Sequence, residues 1–399
     1  MNRNILFIIL SVFIIEVNAQ TITNYTTADG LMSDFVECIA VDIYDNIWFG
    51  TSVGLQMYDG VNWISYSSAD FGLSTNNVKV VTATSGGDVY VGTDFGASKF
   101  DGSSWIAFNT NSQIKSIDED DSGDIWLGTN QGVQYFDGTV SIYYSAPDLH
   151  WSGVNGTAID SNGDKWFSSP LGGITHFDGL NFTTYDTSDG LLSLYTTDIV
   201  VDNQDRKWVG TASGMSVLDA SNTSFTQHTR MYLMPPPDTL NPVVDIAIDS
   251  WGRIWTSIYV GYLAEGGVAY WNGSVWSDFH ISDGLAGQNV KGLAIDSENN
   301  VWVATTNGVS RISAIASAFN TVENTIFSIF PNPSSDLIYL NNNGESINEV
   351  KIYDNSGILV YQANSFERNY IDVSYFAKGL YYVDIQFSDT NICKKIIVN

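Results

Sequence analysis

Between Val36 and Ile312 short apolar runs come in pairs, IAV before IWFG, VVDIAI before IWTS and VKGLAI before VWVA, with a polar turn dividing each pair. Runs of this length, rich in β-branched and aromatic residues, predict strands buried on both faces. One phrase surrounds every pair. Its copies read DIYDNIWFGTSVG, TSGGDVYVGTDFG, DDSGDIWLGTNQG, DSNGDKWFSSPLG, DNQDRKWVGTASG, DSWGRIWTSIYVG and DSENNVWVATTNG. With Trp48, Tyr90, Trp126, Trp166, Trp208, Trp255 and Trp302 as the register, the spacings are 42, 36, 40, 42, 47 and 47 residues. A period of roughly forty predicts a repeat architecture in which each copy is one supersecondary unit.

Six residues before the register aromatic stands Asp42, Asp120, Asp160, Asp202, Asp249 or Asp296, with Thr84 in the second copy. Three before it stands Asp45, Gly87, Gly123, Gly163, Asp205, Gly252 or Asn299. Gly, Asn and Asp tolerate left-handed backbone, and an Asp side chain accepts bonds from nearby backbone N–H groups, so a hairpin joins the first two strands. Asp-Gly or Asn-Gly at 59–60, 101–102, 137–138, 178–179 and 272–273 marks a second hairpin. A fourth strand follows, with an apolar residue and an aromatic three apart: Trp63/Tyr66, Trp105/Phe108, Val140/Tyr143, Phe182/Tyr185, Phe225/His228 and Trp276/Phe279. No such segment follows the seventh copy, but Ile22/Tyr25 supplies it at the front of the chain. The counting predicts an all-β fold, a seven-bladed β-propeller of four strands per blade. An N-terminal strand closes the last blade and so protects the sheet edges.

The chain has 399 residues, 44% hydrophobic and 13% aromatic, enough for a sizeable core. Arg3, the apolar run 5–15 and Val17-Asn18-Ala19 read as a signal peptide over residues 1–19, cleaved between Ala19 and Gln20. No other run approaches the length of a membrane span, so the mature chain is expected to be exported without one. A net charge of −28 repels nucleic acid and anionic lipid headgroups, which sets both aside as partners. Turn carboxylates account for much of that acidity. Cys38 falls in an inner strand, where a thiol packs as a small hydrophobe, and nothing pairs it with Cys393. There is no disulfide framework and no metal-ligand spacing, so neither metal nor cofactor is expected.

Past Ile312 the repeat stops. The small, polar stretch around residues 315–325 reads as a linker, and the remainder alternates as short strands: NEVKIYD, GILVYQ, NYIDVSYF, GLYYVDIQF and CKKIIVN. This segment, 326–399, resembles the type A sorting domain of bacterial type IX secretion. Pro331-Asn332-Pro333 after Phe330, the VKIYDNSGILV hairpin, the FAKGLYYVDI strand with Gly379, and the basic end Lys394-Lys395 carry the resemblance. It implies a small C-terminal Ig-like β-sandwich handled by the type IX secretion machinery. The chain would then pass through the periplasm and end as a secreted or outer-membrane surface protein, with the propeller at 20–314.

The repeats are themselves similar to those of hybrid two-component regulators, whose pattern is close to D-x-x-G-x-[IL]-W-[IF]-G-T-x-x-G-[LV]. Residues 42–55 and 120–133 match best, whereas Ser168-Ser169-Pro170 and Thr256-Ser257-Ile258 depart in the fourth and sixth copies. That resemblance implies an extracellular propeller that recognises ligands, often glycan fragments. The kinase, membrane span and response regulator of that family have no counterpart in this sequence, so signalling through it is not expected.

Candidate chemistry lies in loops, because propellers bind where loops crowd around the axis. His176 and His228 occupy strand columns and read as packing. His280 aligns with Ser67, His150 lies in a connection beside Trp151, and none forms a recognisable triad. The run 118–123 opens like a calcium loop, but its twelfth position is Thr129, where that loop needs a bidentate carboxylate. Two insertions stand out, at 229–242 between blades five and six and at 258–267 within blade six. Propeller geometry brings both to one face, where Tyr232, Tyr259, Tyr262 and Glu265 would line a shared pocket, with rings to stack on a sugar and a carboxylate to bond its hydroxyls. The expectation is a binding propeller for a glycan or a surface protein. A purely structural surface protein stays open, and so does a secreted polysaccharide lyase or glycoside hydrolase, although the sequence places no paired carboxylates or histidine constellation in support of an enzyme.

Overall fold

The computed structural model describes residues 21–398 except 109–111, 138–140, 146–148, 150, 152, 232–240, 260–265, 314–327, 331–333, 335, 342–346, 355–358, 367–369 and 387–390. Seven four-stranded antiparallel sheets make the first compact unit. Blade one runs outward from the axis as Val36–Val41, Ile47–Thr51, Gly54–Tyr58 and Trp63–Tyr66. The inner strands of the other six blades start at Val78, Ile114, Gly156, Thr196, Val243 and Val290, and each touches its neighbours in a closed ring. Blade seven is completed from the front of the chain. Ile22–Tyr25 pairs antiparallel with Gly308–Ile312, Ile22 opposite Ile312 and Tyr25 opposite Val309.

The register aromatics explain why each blade holds its four strands together. Trp48 stacks on Tyr66 at 5.7 Å, joining the second strand to the outer one, and Trp166 on Tyr185 does the same at 5.7 Å. Tyr90–Phe108, Trp208–His228, Trp255–Phe279 and Trp302–Tyr25 repeat the stack. Blade three departs from the predicted spacing. Its outer strand is Ser141–Tyr144, and the ring over Trp126, at 6.1 Å, is Tyr144 rather than Tyr143. Tyr143 faces the other side of the strand, where its hydroxyl lies 3.2 Å from Thr129 Oγ1.

The Gly-Thr of the phrase has two separate duties. A Cβ on Gly50 would lie 2.6 Å from Val78 Cγ1 of blade two and 2.2 Å from Cys38 Sγ, so only glycine lets neighbouring blades approach there. Thr51 Oγ1 donates to the Gly54 carbonyl at 2.8 Å and accepts from the Val53 N–H at 3.2 Å, closing the turn into the third strand. Thr93, Thr129, Thr211 and Thr305 repeat that donation. In blade six Ile258 takes the threonine place and offers no hydroxyl, and there the connection lengthens.

Residues 315–399 make the second unit. A three-stranded sheet, Ser328–Phe330, Leu337–Asn341 and Tyr370–Asp372, accompanies a four-stranded one ordered Leu359–Phe366, Ile347–Asp354, Gly379–Gln386 and Asn391–Val398. Both contribute to one apolar core that includes Ile338, Ile371, Val350, Val383 and Ile396, which makes the unit a β-sandwich. Gly379 opens its strand and the backbone of Lys394 and Lys395 runs in the last one, whereas Pro331, Asn332 and Pro333 lie outside the described residues, as do Ala19 and Gln20.

Candidate functional site

The aspartate column that looks most like a site is framework. Asp42 Oδ1 accepts the Tyr44 and Asn46 N–H groups at 2.9 Å each, as a turn residue should, and Oδ2 also accepts the Trp48 indole N–H at 2.9 Å. The same indole bond recurs at Asp120, Asp160, Asp202, Asp249 and Asp296. Cations cover these clasps. Lys165 reaches Asp120 at 3.2 Å and lies 5.0 Å over Trp126; the fully buried Lys207 reaches Asp160 at 3.3 Å and lies 5.0 Å over Trp166. Arg206, Arg253 and Arg311 serve Asp202, Asp249 and Asp296.

Two histidines belong to the same framework. His176 stacks on Trp166 at 4.4 Å, and its Nε2 lies 2.8 Å from Asp164 Oδ2. Asp160, Asp164 and His176 are close enough together to share an ion. The Lys207 ammonium beside Asp160 already supplies the positive charge an ion would bring. His228 accepts the Trp276 indole N–H on Nδ1 at 3.1 Å, and burial together with Arg206 holds its pKa down, which keeps that nitrogen an acceptor.

The chemistry left over converges on the axis. A well of about 450 Å³ opens between the inner strands, lined by polar residues that interrupt otherwise apolar strands. At its mouth stand Lys79, Lys115 and Lys291, with Glu37 between Lys79 and Lys291 at 3.4 Å from each. Lys115 donates to Asn155 Oδ1 at 2.9 Å, and among the described residues no carboxylate pairs with it. One residue deeper, Asp198 and Asp245 share the Ile246 N–H, 3.0 Å from each. Backbone N–H groups of Ile246 and Leu293 reach them at 3.0 and 2.6 Å. Burial raises the pKa of both, and the neighbouring charge of Asp245 raises that of Asp198 further, so the pair holds a proton between them. A Cβ on Gly156 would stand 2.7 Å from Asp198 Oδ1; glycine makes the room this carboxyl occupies. Cys38 lies in the same wall with its thiol pKa pushed up by burial, a packed and unreactive sulfur.

The well was missed in the sequence because the inner strands read as apolar throughout. Its signal is a charged residue in the second or third place of VECIAV, VKVVTA, IKSIDE, TTDIVV, VVDIAI and VKGLAI. The well mouth and the blade-six insertions share one end of the propeller. Val36 pairs with Thr51 at the loop end of the second strand, and the Tyr259 N–H bonds the Pro242 carbonyl at 3.2 Å, tying the two insertions together at their bases. Of the four residues expected to form a pocket, Tyr259 is the one described; its exposed ring lies 5.8 Å from Lys291 Nζ, at the rim of the well. Phe35 flanks the same ammonium at 5.4 Å. Tyr232, Tyr262 and Glu265 lie outside the described residues. Phe95, Trp151, Leu171 and Tyr195, on the loops and connections of this end, are exposed as well.

Residues 328–399 match the secretion system C-terminal sorting domain, and residues 284–307, around the first strands of blade seven, match the two component regulator propeller. The chain joins a regulator-type propeller to a secretion sorting domain. That domain directs export to the cell surface or the medium, with the type IX machinery as the partner it implies. No described helix is long and apolar enough to cross a membrane. No curated protein matches the chain. Among solved structures, the extracellular domain of a hybrid two component system from B. thetaiotaomicron is similar at TM-score 0.64 and 16% identity, over 95% of this chain and 58% of that one. PorZ, an essential surface component of the type-IX secretion system of Porphyromonas gingivalis, is similar at 0.57 and 17%, over 92% and 60%. This chain therefore spans about three fifths of either solved chain. A virginiamycin B lyase from Staphylococcus aureus, catalytically inactive and with quinupristin, is similar at 0.61 and 14%, over 74% and 100%. At such identities the likeness is one of fold.

Proposed function

We propose that this regulator-type propeller is an extracellular binding module for an oligosaccharide, taken on the face where the axial well opens. The observation that carries this reading is the coincidence on that face of exposed rings, Tyr259 and Phe35 foremost, with a polar well. Flat rings offer stacking surface to a sugar, and convergent polar groups fix its orientation. The extracellular domain of a hybrid two component system, to which the chain is similar, gives a precedent for this fold outside the cell. Binding is favoured over turnover by the carboxyl pair itself. A glycoside hydrolase holds its two carboxyl groups ~5 Å or more apart on either side of the scissile bond, whereas Asp198 and Asp245 both accept the single N–H of Ile246, at 3.0 Å each. His176 and His228 are engaged in the blades, away from the well.

A glycan array probed with the exported chain tests the proposal. Binding to at least one oligosaccharide, weakened roughly tenfold by Tyr259→Ala at unchanged melting temperature, is the expected result. An array without hits, or hits indifferent to that substitution, overturns it.

A further inference from the structure

We infer that the mouth of the axial well is an anion-binding site, built to hold a carboxylate or sulfate group of the ligand against Lys115, Lys79 and Lys291. The inference deepens the binding reading above and rests on it for the oligosaccharide, but not for the anion.

Where the cations go is the first support. The chain carries 44 acidic against 16 basic residues, and ten of the basic ones fall between residues 20 and 314. Lys99, Lys165, Arg206, Lys207, Arg253 and Arg311 all lie over rings of the blade framework. Three of the remaining four meet at this one mouth. A protein this acidic gains nothing in solubility from a cationic spot; a patch opposite in sign to the surrounding surface concentrates an anion and fixes its place.

The second support is incomplete pairing. Among the described residues Glu37 is the one carboxylate at the mouth, shared by Lys79 and Lys291 at 3.4 Å, long for an ion pair. Lys115 has an amide oxygen, burial pulls its pKa down, and among the described residues no carboxylate pairs with it. The buried hydroxyls of Ser116, Thr157 and Thr197 line the same well, and among the described residues none has a hydrogen-bond partner. Hydroxyl donors beside ammonium groups are what an oxyanion requires. One residue below the lysines, Asp198 and Asp245 accept backbone N–H bonds and burial holds both pKa values up, so the floor repels an anion less than two free carboxylates would. The anion is held at the mouth, above the pair.

The test uses the full exported chain, its Lys115→Gln and Lys79→Gln variants, and trisaccharides that are neutral, uronate-bearing or sulfated. A parallel arm compares sodium sulfate with sodium chloride at equal ionic strength by thermal shift. Binding of one or both acidic trisaccharides, falling roughly tenfold or more in Lys115→Gln and weakening with salt, is expected; which of the two binds separates carboxylate from sulfate. Hits among neutral sugars alone, or acidic hits retained within about twofold by Lys115→Gln, overturn the anion site and leave oligosaccharide binding standing. Stabilisation by sulfate that Lys115→Gln abolishes, without a sugar hit, supports the anion site while the oligosaccharide reading falls. Neither sugar hits nor a sulfate effect overturns both.

Discussion

At the residue scale the buried carboxyls fall into two groups with opposite consequences for pH. Asp120 and Asp202 are disfavoured as anions by burial, but indole, backbone and cationic donors outweigh it, so both pKa values end low. Stability from these groups is fully present above the ordinary carboxyl value of ~3.9 and is lost as pH falls through their folded values. Asp118, Asp198 and Asp245 run the other way. Burial raises Asp118 to about 7 and Asp245 to about 6, so they cost stability as pH climbs from ~3.9 through those values. Thermal melting against pH should therefore peak on the acidic side of neutrality. Asp118→Asn, which keeps an acceptor for the Glu119 N–H at 3.2 Å, should raise the melting temperature at pH 8 and leave it unchanged at pH 4. Equal effects at the two pH values would show that Asp118 is not held protonated by the fold.

At the scale of elements the blade is the unit, and its local logic explains what could be read from the sequence. The turn aspartate, the register aromatic and the Gly-Thr act within one copy, so periodicity alone exposes them, and the absence of a seventh outer strand points to Ile22–Tyr25. Tyr144 displaces Tyr143 because a strand one residue out of register turns every side chain to the other face. The lysine mouth could not be read in this way. Four of the seven inner strands give it one charged residue each, from Glu37 in blade one to Lys291 in blade seven, and only ring closure brings them together. Closure also makes a prediction. Without residues 21–26 the Gly308–Ile312 strand becomes an open edge and Trp302 loses Tyr25, its stacking partner at 5.4 Å. A chain lacking that segment should melt lower by several degrees and associate in light scattering, and supplying the segment as a peptide should reverse both. A monomeric protein of unchanged melting temperature would show that the clasp is dispensable.

At the scale of the whole molecule, the proposed binding face and the export domain fall in two units with separate cores. Among the described residues, the buried cluster of the sandwich, from Ile338 to Val398, draws only on residues of its own unit, and the propeller clusters draw only on blades and the connections between them. Removing the matched sorting domain, residues 328–399, therefore subtracts a destination and leaves every residue of those propeller clusters in the chain. A chain ending near Ser313 should fold, keep the melting temperature of the propeller and bind whatever the full chain binds, yet accumulate in the periplasm instead of reaching the surface or medium. Fractionation with an antibody to the propeller measures the location, and melting of the retained protein separates failed export from failed folding. Normal release of the shortened chain would mean that the export address lies in the blades. Release of the full chain carrying Lys394→Ala and Lys395→Ala at wild-type levels would confine the address to the rest of the sandwich.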